Sequence, residues 1–337
     1  MQNGCHPVGW HLCAGMRGSM KIVVLDRTSV GEDVSVECMK QYGDVIFYNS
    51  TPDELVAERI VDADIVVANK NPINEASLKD AKKVKLVCQF ATGYDNVDIA
   101  YCREKKIRVV NVRNYSTAAV VQHTVALALS VLENLPYYDE YVKSGAYAAQ
   151  ERFAHFEKTY YELEGKTWGI IGMGNIGRGV ARAAQALGCC VIFYSASGKS
   201  TCTEYERVDF DTLLAQSDVI SLHCPLSDRT RHIMDASAFQ KMKRSAILVN
   251  VARGAVVDTG ALCAALKEGQ IRGAGLDVFE KEPMRPDDAL QELKDTGLLQ
   301  MTPHMAWASI EARTRCVTET CENIAAFLKG QERNVVV

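Results

Sequence analysis

The chain has 337 residues, 47% of them hydrophobic and 24% charged, with a formal net charge of −4. That balance is expected of a soluble globular protein long enough for two domains, and its scattered cations argue against a nucleic-acid surface. No apolar run approaches the ~18 residues that span a bilayer. The twelve cysteines include no C-x-x-C pair, and several (Cys88, Cys190, Cys263) fall inside predicted strands and helices, which points to a reducing, cytoplasmic setting.

In chain order, residues 1–19 are rich in Gly, His and Cys and have no periodicity. They lack the apolar core of a signal peptide. Cys5, His6, His11 and Cys13 fit no zinc spacing, so the segment is expected to be a disordered leader. From Lys21, strands are expected at Lys21–Asp26, Asp44–Tyr48, Asp64–Ala68, Lys85–Gln89 and Ile107–Val110. Helical spacing recurs at Asp53–Ala63, Ala76–Lys82 and Val97–Arg103. Alternating strands and helices imply a parallel sheet covered on both faces. Ser116–Leu135 is apolar almost all round and predicts a buried helix, between domains or in a subunit contact, ended by Pro136. Tyr137–Glu164, rich in tyrosine and phenylalanine, reads as a packed arm.

The most informative stretch is Gly165–Ser200. A strand, Trp168–Ile171, runs straight into GMGNIG, Gly172 to Gly177, which matches G-x-G-x-x-G. A helix opens there, with Ile176, Val180, Ala183, Ala184 and Leu187 on one side, and Gly188 stops it before the strand Val191–Tyr194. Strand, tight turn, helix and strand together place a pyrophosphate at a helix N-terminus. Gly172 serves the turn, Gly174 lets the backbone reach the phosphates, and Gly177 lets the helix pack on the strand. Later strands are expected at Val219–Leu222, Ala246–Asn250, Gly275–Val278 and Leu298–Met301, and a closing helix at Ser309–Leu328.

Ligands of open α/β sheets bind outside the carboxyl ends of the strands. Arg253 in NVARG, Glu282 in GLDVFEKEP and His304 in TPHMAW each follow such an end. An arginine can hold a planar carboxylate with two parallel hydrogen bonds. A histidine can protonate an alkoxide, and a carboxylate can orient that histidine and stabilise its cation. The trio suits hydride transfer to a ketone that carries a carboxylate. Asp277 reads as a buried anchor for a loop, His223 as structural or as a wall of the cofactor cleft, and His123 as a core histidine.

Taken together, GMGNIG, HCPLSDRT, NVARGAVVD, GAGLDVFEKEP and TPHMAW resemble the D-isomer-specific 2-hydroxyacid dehydrogenases, from Met20 to Val337. VVLDR, NKNPI, ATGYDNVD and NYSTAAVVQHT are most similar to the glycerate dehydrogenase (hydroxypyruvate reductase) branch. The resemblance implies an α/β fold of two doubly wound parallel-sheet domains: a Rossmann nucleotide domain (116–304) inserted in a flavodoxin-like substrate domain (20–115 and 305–337), with a cleft that closes on the ligand. It implies NAD(P)H-dependent reduction of a small 2-oxo acid by a homodimer, with no nucleic-acid or membrane partner. Arg253, Glu282 and His304 would be catalytic, and Thr92 and Gly93 would present backbone N–H groups to the substrate carboxylate beside Arg253. The cofactor set would be Gly172, Gly174, Asn175, Ile176, Gly177, Ser195, Ser197, Lys199, His223, Cys224, Pro225, Val251, Ala252 and Asp277. Where the family usually places a ribose-binding aspartate, this chain has Ser195, followed by Ser197, Lys199 and Ser200. The loss of that acid predicts use of NADPH at least as good as that of NADH. A D-lactate or branched-chain 2-hydroxyacid dehydrogenase is the alternative enzyme, and a nicotinamide-sensing corepressor the non-enzymatic one.

Overall fold

Five short apolar runs build the first sheet of the computed structural model, which describes residues 19–337. The metal reading of Cys5, His6, His11 and Cys13 lies outside these residues. The chain divides into two units: unit 1 comprises the residues up to Arg113 together with Thr314–Val337, and unit 2 is Asn114–Arg313. The sequence places these boundaries after 115 and after 304.

In unit 1 the strands are β1 (Lys21–Val24), β2 (Asp44–Phe47), β3 (Ile65–Ala68), β4 (Leu86–Gln89) and β5 (Arg108–Val110). They pair in parallel in the order β2-β1-β3-β4-β5, the flavodoxin-like arrangement. All four residues of β3 and of β4 are buried, which is why β3 and Leu86–Cys88 of β4 read as continuous apolar runs rather than as alternation. Val23, Val66, Val87 and Val109 form the centre of one core layer with Val56 and Ile60. The expected helix Asp53–Ala63 is a 3₁₀ turn, Asp53–Leu55, followed by the α-helix Val56–Ile60. Ala76–Lys82 shortens to Glu75–Leu78, started by a reciprocal cap between Asn74 and Ser77. Between β1 and β2 the chain makes two 3₁₀ turns, Arg27–Val30 and Glu37–Tyr42, and no α-helix. At the far edge the C-terminal tail pairs with β5: Val109 N–H donates to Val337 O at 2.8 Å, and Val110 bridges Val335 antiparallel. That contact covers an otherwise open strand edge.

Unit 2 holds β6 (Thr167–Ile171), β7 (Cys190–Tyr194), β8 (Glu206–Arg207), β9 (Val219–Leu222), β10 (Ile247–Asn250), β11 (Gly273–Leu276) and β12 (Leu299–Met301). They form one parallel sheet ordered β12-β11-β10-β9-β6-β7-β8. The chain adds β7 and β8 on one side of β6 and then β9 to β12 on the other. The switch point therefore lies between β6 and β9. Core layers cover both faces, one around Leu248, Phe239 and Leu213, the other around Trp168, Phe193 and Val180.

Two expectations are corrected. The strand expected at Gly275–Val278 lies two residues earlier, because the helix Thr117–Leu132 settles on Gly273 and Gly275, where Val131 and Leu127 fill the room left by the missing side chains. That helix packs on the sheet of unit 2 and contributes Leu127, Ala128 and Val131 to its core. Pro136 does not end it. The helix stops at Leu132, Asn134 turns the chain with φ of 53°, and Pro136 sits in the first turn of a second helix, Leu135–Lys143, where its missing N–H costs nothing. The arm beyond is packed around His155, whose ring stacks on Tyr141 at 3.7 Å and bonds Tyr137 Oη at 2.8 Å. Phe153 and Phe156 of the same arm are 91% and 73% exposed. Among the described residues no single helix is long and apolar enough to cross a membrane. Thr117–Leu132 and Leu135–Lys143, bent by 64°, pass that test only as a pair.

Candidate active site

The switch point of unit 2 is built by a glycine. Gly172 follows β6 with φ of +102°, and a Cβ there would stand 2.6 Å from Cys224 N and 2.7 Å from His223 C. Only glycine allows both this backbone turn and this approach to the end of β9. His223 N–H donates to Ile171 O at 2.8 Å, which closes the contact. The helix Asn175–Ala186 starts directly after Gly174, and a Cβ on Gly174 would meet nothing within 4 Å. Gly174 and Asn175 are exposed, Ile176 is partly buried and Gly177 is buried in the first helical turn. Free N–H groups, a helix N-terminus and open space suit a pyrophosphate.

His223 leaves the end of β9 beside Ser221, with Nε2 3.0 Å from Ser221 Oγ, which also accepts from Trp168 Nε1 at 2.9 Å. Its Nδ1 is shut off from solvent and has no hydrogen-bond partner among the described residues. An orphaned nitrogen at this switch point fits a polar group of a bound dinucleotide. Burial pushes the His223 pKa down to about 3, so the ring is neutral at physiological pH. An unfolded chain, with an ordinary histidine, takes up a proton as pH falls below 6.5, while folded His223 does not. Its contribution to stability is therefore complete above that range and is lost as pH falls from about 6.5 toward about 3. His223→Asn is expected to lose less stability than the wild type between about pH 7 and about pH 4. Urea midpoints at the two pH values measure this, and equal losses would contradict it.

Next to β7, the loop Ser195–Ser200 turns on itself. Gly198 N–H donates to Ser195 O at 2.9 Å, and Ser200 N–H donates to Ser195 Oγ at 3.3 Å. Ser195 is thus buried and holds the loop, while Ser197 and Lys199 are exposed. Arg207 of β8, not singled out from the sequence, lies against the same turn and donates from Nη1 to Gly198 O at 3.2 Å. Nothing in the sequence of a two-residue edge strand marks it, because its contact with Gly198 depends on β8 pairing with β7.

At the other side of the switch point, β10, β11 and β12 are neighbours, so the residues after their ends gather. Arg253 follows β10. Asn250 fixes its turn by donating from Nδ2 to Arg253 O at 3.0 Å and accepting Ala252 N–H at Oδ1 at 3.0 Å. Arg253 Nη1 donates to Ala252 O at 2.8 Å. At Gly254 a Cβ would stand 1.9 Å from Phe279 C and 2.4 Å from Glu280 N. Glycine alone lets the loop carrying Arg253 lie on the loop carrying Glu282. Val251 and Ala252 are partly buried beside it, Cys224 is buried and Pro225 exposed after β9.

Asp277, after β11, is fully buried and its carboxylate is spent on the loop after β12. Oδ1 accepts Thr302 Oγ1 at 2.6 Å and Met305 N–H at 2.8 Å, and Oδ2 accepts Ala306 N–H at 2.8 Å. His304 sits in the middle of that loop with φ of +55°, its N–H donating to Asp277 O at 2.8 Å. A left-handed conformation in a non-glycine residue persists only where surrounding bonds fix it, and here they do. His304 Nδ1 is 2.6 Å from Glu282 Oε2, while Glu282 Oε1 accepts Phe279 N–H at 3.1 Å. Both side chains are about 30% exposed, so the pair is held yet reachable. His123, read from sequence as a core histidine, bonds Thr302 Oγ1 at 2.9 Å through Nε2. It steadies the His304 loop from the helix Thr117–Leu132. Periodicity places it on that helix but does not show which loop it meets.

In unit 1, Thr92 and Gly93 follow β4. Thr92 Oγ1 donates to Val112 O at 2.7 Å, and Thr92 O accepts Asn111 Nδ2 at 2.7 Å. The loop is thereby pinned to the chain leaving β5.

The chain is similar to known proteins over most of its length. Residues 125–306 match the NAD binding domain of the D-isomer specific 2-hydroxyacid dehydrogenases. The chain is 39% identical over 318 residues to a glycerate dehydrogenase of Methylorubrum extorquens, covering 94% of this chain and 98% of that one. It is 37% identical over 324 residues to a hydroxypyruvate reductase of Blautia hydrogenotrophica, covering 94% and 99%. An acyclic imino acid reductase solved with NADPH and D-Arg superposes with a TM-score of 0.85 at 30% identity, over 94% of this chain and all of that one.

Proposed function

The chain belongs to the D-isomer specific 2-hydroxyacid dehydrogenase family, and from that premise we propose that it reduces a small 2-oxo acid, of the hydroxypyruvate or glyoxylate type, to the D-2-hydroxy acid. It is an oxidoreductase of that family. A bound reduced nicotinamide supplies the hydride. The observation that carries the reading is the 2.6 Å bond between His304 Nδ1 and Glu282 Oε2, on strand ends adjoining the one that holds Arg253. With Nδ1 engaged, Nε2 is the nitrogen that gives a proton to the reduced oxygen. Glu282 stabilises the imidazolium and fixes its orientation. Arg253 holds the substrate carboxylate and polarises the keto group, and positioning supplies much of the acceleration. The contact of Thr92 and Gly93 with the carboxylate is proposed on the family resemblance.

NADPH is proposed as at least as good a reductant as NADH. Exposed Lys199 and Arg207 flank a loop without a carboxylate, which suits a 2′-phosphate. The test is a panel of hydroxypyruvate, glyoxylate, pyruvate and phenylpyruvate against both reduced cofactors, scored by kcat/KM. Hydroxypyruvate and glyoxylate should lead, with NADPH equal to NADH or better. A strong NADH preference would overturn the cofactor reading, and preference for phenylpyruvate would overturn the substrate reading.

Two further properties belong to the proposal. The exposed Phe153, Phe156, Tyr160 and Tyr161 of the arm supply apolar area for a second copy of the chain. Sedimentation equilibrium should then give twice the 37.1 kDa chain mass, and a single-chain mass would contradict the dimer. The thiols of Cys102 and Cys316, pushed up to about 11 and about 12 by burial, behave as core side chains, which supports a reducing cytoplasmic setting.

A further inference from the structure

Unit 1 brings together two cysteines from opposite ends of the sequence. Cys38 lies on the 3₁₀ turn Glu37–Tyr42, and Cys321 on the helix Ile310–Leu328. Their sulfurs are 2.7 Å apart across 283 residues of sequence. Cys38 is exposed and Cys321 is buried. Each is held by its neighbours: Met39 beside Cys38 is fully buried, and Val317 and Ile324, one turn either side of Cys321, are in the core. Neither cysteine has a part in the chemistry proposed above.

From this geometry we infer that Cys38 and Cys321 form an oxidisable dithiol, a site for reversible disulfide formation by a hydroperoxide. The two sulfurs divide the work by their surroundings. The hydrogen bond with Cys321 holds the Cys38 thiol below its ordinary range, against burial and the Glu37 carboxylate, which raise it. Cys321 is held well above its ordinary range by the same bond and by burial. Cys38, exposed and the more acidic of the two, is the attacking nucleophile. Its thiolate attacks the hydroperoxide, the O–O bond breaks, and the products are Cys38 sulfenic acid and, with hydrogen peroxide, one water. The Cys321 sulfur then attacks the Cys38 sulfur. The S–S bond forms, the S–O bond breaks, and the hydroxyl leaves as a second water with the Cys321 proton. In sum, two thiols lose two electrons to one peroxide, and a low-molecular-weight thiol restores them by exchange.

The bond closes a covalent loop that takes in nearly the whole chain and fastens the first crossover of unit 1 to its last helix. Closing so long a loop restricts the unfolded chain most. The oxidised form is therefore the more heat-resistant, by roughly 5–10 °C in Tm. A transient disulfide of this kind is compatible with a reducing compartment.

The experiment oxidises the reduced full-length protein with one equivalent of hydrogen peroxide, blocks remaining thiols with an alkylating agent in denaturant, and maps the peptides. Two thiols should disappear, the Cys38 and Cys321 peptides should be linked, and dithiothreitol should restore both. The oxidised wild type should melt higher than the reduced form, and Cys38→Ser, a change at an exposed position, should abolish both the link and the shift. Cys321→Ser should leave Cys38 trapped as a sulfenic acid that reacts with dimedone. Oxidation confined to exposed Cys190, a Cys38 sulfenic acid that persists in the wild type while Cys321 stays alkylatable, or a link with no rise in Tm would each overturn the inference.

Discussion

Replacing His304 with alanine is expected to lower kcat for 2-oxo acid reduction about 10²–10⁴-fold, with NADPH binding little changed. The residue is placed for one task. Its loop is tied down by Asp277 through Thr302, Met305 and Ala306, and its Nδ1 is committed to Glu282 at 2.6 Å. The other histidines described near these strand ends are engaged elsewhere: His123 bonds Thr302, His223 bonds Ser221 at 3.0 Å, and His232 bonds Glu280 at 3.4 Å. Glu282→Gln should cost less, since a glutamine can keep the ring oriented. Stopped-flow turnover measures both effects, and a Glu282→Gln variant as active as the wild type would remove Glu282 from its role.

Arg253→Ala is expected to be comparably severe. A bidentate carboxylate contact comprises two charge-assisted hydrogen bonds, each worth about 1.5–3 kcal/mol. Its loss corresponds to roughly 10²–10⁴-fold in kcat/KM. Arg253→Lys should recover little, because an ammonium cannot present two parallel donors. Both variants should fold, since the turn is set by Asn250 and by the backbone at Gly254. Fluorescence titration with NADPH should show cofactor affinity close to the wild type. Unchanged kcat/KM in the alanine variant would defeat the assignment.

How much of this was legible depends on how locally each feature is encoded. Most strands of both sheets were, because parallel strands covered on both faces are apolar along nearly their whole length, as in Ile65–Ala68. β8 was not: it has two residues, both exposed, at the sheet edge. The β1–β2 crossover also escaped, since 3₁₀ turns carry no helical period. In the candidate site, Arg253, Glu282 and His304 were visible because each lies within a few residues of the end of an apolar strand. Which acid partners His304 is not written locally, as FEKEP offers two. Glu280 turns to Thr259, accepting its N–H at 3.0 Å and its Oγ1 at 2.7 Å, and only the folded loops separate it from Glu282. The His123–Thr302 bond and the Cys38–Cys321 pair join residues 179 and 283 positions apart, and no period or motif reports such distances.

The most direct test of the central claim is the product formed when the wild-type protein is given hydroxypyruvate and NADPH, identified by chiral analysis alongside cofactor oxidation. Stoichiometric oxidation of NADPH is expected, with D-glycerate as the sole product and with His304→Ala forming almost none at an unchanged NADPH affinity. An L-configured product, or turnover that persists undiminished in His304→Ala, would contradict it.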